Sequence, residues 1–234
     1  MRVDKQADPV ARTIHKRGQM KKAHNISLKK SPGIIKLETR LETSMAISLS
    51  LDPRVMTFRP QPMTIEMGTG RVFATKAHLH RSFEGLEYKS RPYTPDFEVT
   101  LETGIVFIET KHSRLIERSP DALEYPSILK NYGLRLVLVD ETFFPEVFCQ
   151  NIRLLHPYQS CQFSSAEQRM VASAAGMAAT IGELTTNQQI PQNLILAAIA
   201  QGVLHAELHE SRLGVKTLIS AQENRHISLE RLPL

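Results

Sequence analysis

Three ionisable residues interrupt the stretch YTPDFEVTLETGIVFIETK, residues 93 to 111: Asp96, Glu109 and Lys111. The apolar residues around them alternate as in two strands joined near Thr103-Gly104. Side chains alternate across a strand, so Phe107, Glu109 and Lys111 share one face and Val106 and Ile108 the other. A hairpin turning near residue 103 brings Asp96 beside position 109 or 110. Two carboxylates and an ammonium then converge. Convergent carboxylates suit Mg²⁺, a hard cation that takes oxygen ligands and keeps part of its water; Mn²⁺ is expected to substitute. Such an ion polarises a phosphate and lowers the pKa of bound water, the requirements of phosphodiester hydrolysis. A nearby lysine orients that water or stabilises the charge that develops. The competing reading is a surface salt bridge between Lys111 and a cross-strand carboxylate.

The elements that must position these groups alternate along residues 34–157. Leu37, Leu41, Met45 and Leu49 recur every fourth residue, a helical stripe that Asp52-Pro53 ends. Glu38 and Glu42 sit one turn apart beside it. RVMTFRPQPMTIEM reads as extended chain broken by Pro60 and Pro62. Residues 71–81 read as another strand, and the hairpin of residues 93–111 follows. SPDALEYPSILKNYG reads as a helix capped by Ser119, with Pro120 at its first position and Gly133 at its end. LRLVLVD is a buried strand, apolar at nearly every position. The order is helix, about three strands, helix, strand.

LETRLETSMAISLSLDPRVMTFRPQP and YTPDFEVTLETGIVFIETK together resemble TnsA, the endonuclease subunit of heteromeric bacterial transposases in the PD-(D/E)xK nuclease superfamily. The shared features are a glutamate-bearing helix, a DP-x-V turn, a QP before the next strand, a Y-x-P-D strand and an E/Q-x-K strand. The resemblance is strong over about a third of the chain. It implies an α/β fold with a restriction-endonuclease-like αβββαβ core. It implies Asp96 and Glu109 as metal ligands and Lys111 as the catalytic lysine. Glu42 would complete the metal site or hold a metal-bound water, with Glu38 as the fallback. It further implies an Mg²⁺-dependent endonuclease that hydrolyses one strand at each transposon end. Its partners would be the DNA ends, a partner transposase and an ATPase regulator. The competing functions are a stand-alone restriction-like or repair nuclease and a DNA-binding assembly factor.

Charge distribution supports a polyanionic partner. Residues 1–36 carry ten basic side chains against two acidic, a local charge of +8 on a chain of net charge +5, so the remainder is at −3. Residues 1–33 are read as a basic N-terminal arm, closed by Ser31-Pro32-Gly33. No apolar run approaches the roughly 18 residues of a membrane span. The basic, polar start lacks a secretory leader, so a cytoplasmic location is expected. Cys149 and Cys161 lack CxxC spacing and are read as two ordinary buried thiols. His78 and His80 would share a strand face, but a zinc site lacks a fourth ligand. Arg81, Lys89 and Arg91 flank the Pro-Asp strand as candidate phosphate contacts.

Residues 158–234 read as mostly helical. Ser164 or Ser165 caps a first helix. TIGELTTNQQ and IPQNLILAAIAQGVLHAEL look like the second and third helices of a helix-turn-helix, and LHAELHESRLGVKTLIS like a two-stranded wing. The part resembles the winged-helix module at the C-terminus of TnsA-type proteins. Its third helix has almost no Lys or Arg, which a DNA-reading helix needs, so protein docking is the favoured role.

Overall fold

Glu102 and Thr103 form a two-residue turn that pairs Leu101 with Gly104 and sets the hairpin register, in a computed structural model that describes residues 24–221 and 228–234. The fold is mixed α/β with several sheets. Two compact units are present. The first comprises the chain up to Ala46, Val55–Glu141 and Pro233–Leu234; the second comprises Ile47–Arg54 and Thr142–Leu232. They part at 141/142, where the sequence reading put a boundary after residue 157.

The first unit begins with β1 (His24–Ser27) and β2 (Ile34–Leu37), an antiparallel pair. The last ten residues assigned to the basic arm are therefore a strand and its turn; the arm's first 23 residues lie outside the described residues. Next is α1 (Arg40–Leu51). Its stripe residues Leu37, Leu41, Met45 and Leu49 are all buried, but Leu37 belongs to β2 and the helix starts three residues later than the periodicity predicts. The Thr39 hydroxyl decides the start by accepting from the Glu42 N–H at 3.0 Å.

β3 (Val55–Pro60), β4 (Thr64–Glu66), β5 (Val72–Phe73), α2 (Lys76–Ser82), β6 (Pro92–Tyr93), β7 (Phe97–Leu101) and β8 (Gly104–Thr110) follow. After them come α3 (Ser113–Arg118), α4 (Tyr125–Lys130) and β9 (Leu136–Val139). One sheet has the order β3-β7-β8-β9; its first three strands are antiparallel neighbours and β9 runs parallel to β8. A second has the order β5-β4-β6. Phe107 of β8, Ile65 of β4, Tyr93 of β6, Leu129 of α4 and Leu136 of β9 form one buried cluster. Val106 and Ile108 are buried as well, so both faces of β8 are covered there.

Two local expectations are corrected. Residues 71–81 are not one strand: Thr75 caps α2 by accepting from the His78 N–H at 3.1 Å, so His78 and His80 stand on a helix. The helix expected from Ser119 to Gly133 is split. Ser119 makes no side-chain cap bond, Pro120–Leu123 is a 3₁₀ turn, and α4 starts at Tyr125 with Pro126 in its first turn. Gly133, at φ +75°, ends it: Leu134 N donates to Leu129 O and Gly133 N to Lys130 O, the paired bonds of a left-handed helix stop.

The second unit contains α5 (Glu146–Leu155), α6 (Ser165–Ala175), β10 (Ala179–Thr180), α7 (Ile181–Thr186), α8 (Gln192–Ala200), β11 (His205–Ala206) and β12 (Leu218–Ser220). Ser164 and Glu167 form a reciprocal cap at α6, and Thr180 and Glu183 another at α7. β11 and β12 pair antiparallel, and β10 adds a third strand on the other side of β12. Contrary to the expectation of buried thiols, Cys161 is exposed and Cys149 half-buried. No helix among the described residues is long and apolar enough to cross a membrane.

Candidate active site

Antiparallel pairing puts the start of β7 beside the end of β8. The register pairs Phe97 with Ile108, and Asp96 stands one residue before the former, Glu109 one residue after the latter. The Asp96 carboxylate accepts through Oδ2 from Thr110 N at 2.8 Å and from Thr110 Oγ1 at 2.7 Å. Glu109 Oε2 accepts from the Tyr93 hydroxyl at 2.9 Å. Lys111 follows directly, its N–H bonded to Val139 O of the parallel strand at 3.0 Å. The parallel ladder thus extends past Thr110 and carries the lysine at the same end of the sheet.

Glu42 enters from the first turn of α1. Its Oε2 accepts from Glu38 N at 2.8 Å and its Oε1 from Thr39 Oγ1 at 3.0 Å. Together with the Thr39 cap, this ties Glu42 into the start of α1, which by itself is a structural role. Its surroundings add more. Burial, then the charge of Asp96, push its pKa from 4.5 up to about 7, against the hydrogen bonds from Glu38 and Thr39. Glu109 rises to about 8: burial is the larger cause and the Asp96 charge the next, while the Tyr93 hydroxyl and the Lys111 ammonium pull it down. Glu42 raises it further. Burial and the charges of Glu109 and Asp96 hold the Tyr93 phenol well above its ordinary value, so it remains a donor. Asp96 thus acts on both Glu42 and Glu109, and for each of them burial is the larger cause of the rise.

That donor set has the chemistry of a hard-cation site: carboxylate oxygens, mutual repulsion, and an ammonium at the edge. Among the described residues no group of three His, Cys, Asp or Glu is gathered closely enough to hold one ion. An Mg²⁺ ion held by one or two carboxylates, with the remaining positions left to water and phosphate, would need fewer protein ligands than that. Asp96 and Glu109 would be that pair. Glu38 is half-buried; its backbone N–H donates to Glu42, and its charge adds a smaller upward push to the Glu42 pKa.

Beside Lys111, Glu141 clamps the start of α3, accepting from Ser113 N at 2.8 Å and Ser113 Oγ at 2.6 Å. The Ser113 hydrogen bonds, with a smaller contribution from His112, hold its pKa down at about 2. His112 Nδ1 lies 3.3 Å from Glu141 Oε2. A cross-strand salt bridge joins Arg59 of β3 to Glu98 of β7 at 2.8 Å. Arg81, Lys89 and Arg91 are exposed, and Arg91 contributes a backbone N–H to Glu66 Oε1 at 2.8 Å. Sequence reasoning missed Thr39, Tyr93, Thr110 and Glu141 as supports. Thr39-x-x-Glu42 is a capping-box pattern that could have been read; the other three depend on contacts between separate strands and turns.

No family model matches the sequence, and no curated protein matches it.

Proposed function

We propose that this protein is a metal-dependent DNA endonuclease, the subunit of a heteromeric transposase that hydrolyses one strand at each transposon end. The observation that carries the reading is the meeting of Asp96, Glu109 and Lys111 at one end of the β3-β7-β8-β9 sheet, with Asp96's charge felt by both Glu109 and Glu42. The order α1, β3, β7, β8, α4, β9 supports a restriction-endonuclease-like αβββαβ core. When bound, Mg²⁺ would polarise the scissile phosphate and lower the pKa of its water. Asp96 and Glu109 would hold it. Lys111 orients the attacking water or stabilises the charge that develops on the phosphate. Glu42 would complete the metal site or hold a metal-bound water, and its pKa of about 7 suits it to exchange a proton near neutral pH.

In the second unit α6, α7, α8 and the small β10-β12-β11 sheet support a winged-helix-like module. Its α8 has no Lys or Arg, and Ile195 to Ala200 are all buried, so that helix is unsuited to reading base edges. Sequence choice then falls to a partner transposase, with the ATPase regulator as a further subunit. The test is to map cleavage of transposon-end DNA in Mg²⁺ with and without the neighbouring transposase. Weak, unselective cutting alone and end-directed single-strand cutting with the partner is the expected outcome. Efficient site-specific double-strand cutting by the protein alone favours a stand-alone restriction-like nuclease.

A further inference from the structure

Tyr93 belongs to a different sheet from Glu109, and its position is determined with unusual redundancy. Its backbone pairs with Ile65 of β4, and its ring packs edge-on against Tyr125 with centroids 4.9 Å apart. The strand that carries it is anchored by a buried carboxylate. Glu66 accepts from Arg91 N at 2.8 Å, Tyr88 Oη at 2.9 Å, Thr69 N at 2.8 Å and Gly68 N at 3.0 Å. Met67 N reinforces the join by donating to Arg91 O at 3.0 Å. Backbone and ring are thus both held before the phenol reaches Glu109 Oε2.

We infer that Tyr93 is a positioning residue for the metal ligand Glu109. Its hydroxyl donates to Oε2 and so fixes the orientation of the carboxylate that would be offered to a divalent cation. The inference rests on the metal-dependent reading above. The sheet β5-β4-β6, with Glu66 as its knot, thereby acts on the site through the Tyr93–Glu109 hydrogen bond. Mg²⁺ demands near-ideal octahedral geometry, so a carboxylate free to rotate binds it less well. Hydrogen bonds that orient ligands are typically worth about 10- to 100-fold in metal affinity. Tyr93→Phe removes the hydroxyl and keeps the ring against Tyr125 and Ile65.

The experiment is calorimetric titration of the full chain with Mn²⁺, comparing wild type, Tyr93→Phe and Asp96→Ala. The expected result is affinity about 10- to 100-fold weaker in Tyr93→Phe, with a wild-type melting profile in EDTA, and no binding in Asp96→Ala. Wild-type affinity in Tyr93→Phe, with binding lost in Asp96→Ala, overturns the positioning role and leaves the metal reading standing. A wild-type protein that binds no Mn²⁺, or an Asp96→Ala variant that binds as wild type does, overturns both. A second measurement covers a variant that fails to fold. In wild-type protein labelled at tyrosine Cζ, Mg²⁺ should shift the Tyr93 resonance; a Tyr93 signal unmoved while Mg²⁺ binds overturns the inference.

Discussion

Thr110 donates twice to one oxygen of Asp96, through its amide at 2.8 Å and its hydroxyl at 2.7 Å. The strand after the turn thus orients the carboxylate before it. Thr110→Val keeps the amide bond and loses the other, so cleavage should fall by about tenfold or more. Thr110→Ser should recover most of it. Single-turnover cleavage rates check this, and a Val variant as fast as wild type removes the hydroxyl from the site.

Alanine at Asp96 or Glu109 should abolish cleavage, because each change removes a proposed metal ligand. Lys111→Ala should lower the rate by about 10² to 10³-fold, the usual loss when a charge-stabilising group is removed. Glu42→Ala should be worse than Glu38→Ala, since the Glu42 carboxylate is the one coupled to Asp96. Melting profiles separate chemistry from folding, which matters most for Glu42 because its carboxylate is also tied into the start of α1. An Asp96→Ala variant that cuts DNA at the wild-type rate would falsify the site assignment.

Stability in EDTA should carry the imprint of the raised carboxylates. Glu42 and Glu109 titrate near 4.5 when unfolded and at about 7 and about 8 when folded. Between those limits the native state holds more protons than the unfolded state, so their contribution to stability is lost as pH rises through that window. His209, whose pKa burial depresses, acts in the opposite sense, so the measurement is a difference. The melting temperature of Glu109→Gln minus that of wild type should grow from pH 5 to pH 8.5. Mg²⁺ should narrow the gap at the upper end by stabilising wild type. A flat difference in EDTA means that Glu109 keeps an ordinary pKa.

Cleavage should be supported by Mg²⁺ or Mn²⁺ and not by Ca²⁺, which binds oxygen ligands in looser geometry. Product formation in EDTA equal to that in Mg²⁺ rules out the metal mechanism.

Deleting residues 1–23 removes seven Lys and Arg side chains. Binding to DNA should weaken, and the slope of log affinity against log salt should flatten, because fewer counterions are released. An unchanged slope shows that the arm takes no part.

The hairpin that carries Asp96, Glu109 and Lys111 was legible because everything that determines it is local. Side-chain alternation has period two, and the Glu102-Thr103 turn fixes parity, so Asp96 had to meet residue 109 or 110. The burial of the Leu41, Met45 and Leu49 stripe was legible for the same reason, with the helical period in place of the strand period. Residues 71–81 misled because period alone cannot weigh a cap: a single hydroxyl, Thr75, turns the segment helical after Phe73. Beyond such local rules the tertiary structure decided. Tyr93 reaches Glu109 because β6 pairs with β4, a choice among strands that no alternation encodes. Lys111 is held by Val139 through a parallel crossover of residues 111–135. Glu42 feels the charge of Asp96 across 54 positions of sequence because α1 and β7 bring them together. Register and caps follow from neighbours in the chain; the electrostatics of the site follow from which elements pack, and burial there raises the carboxylates that water would have left ionised.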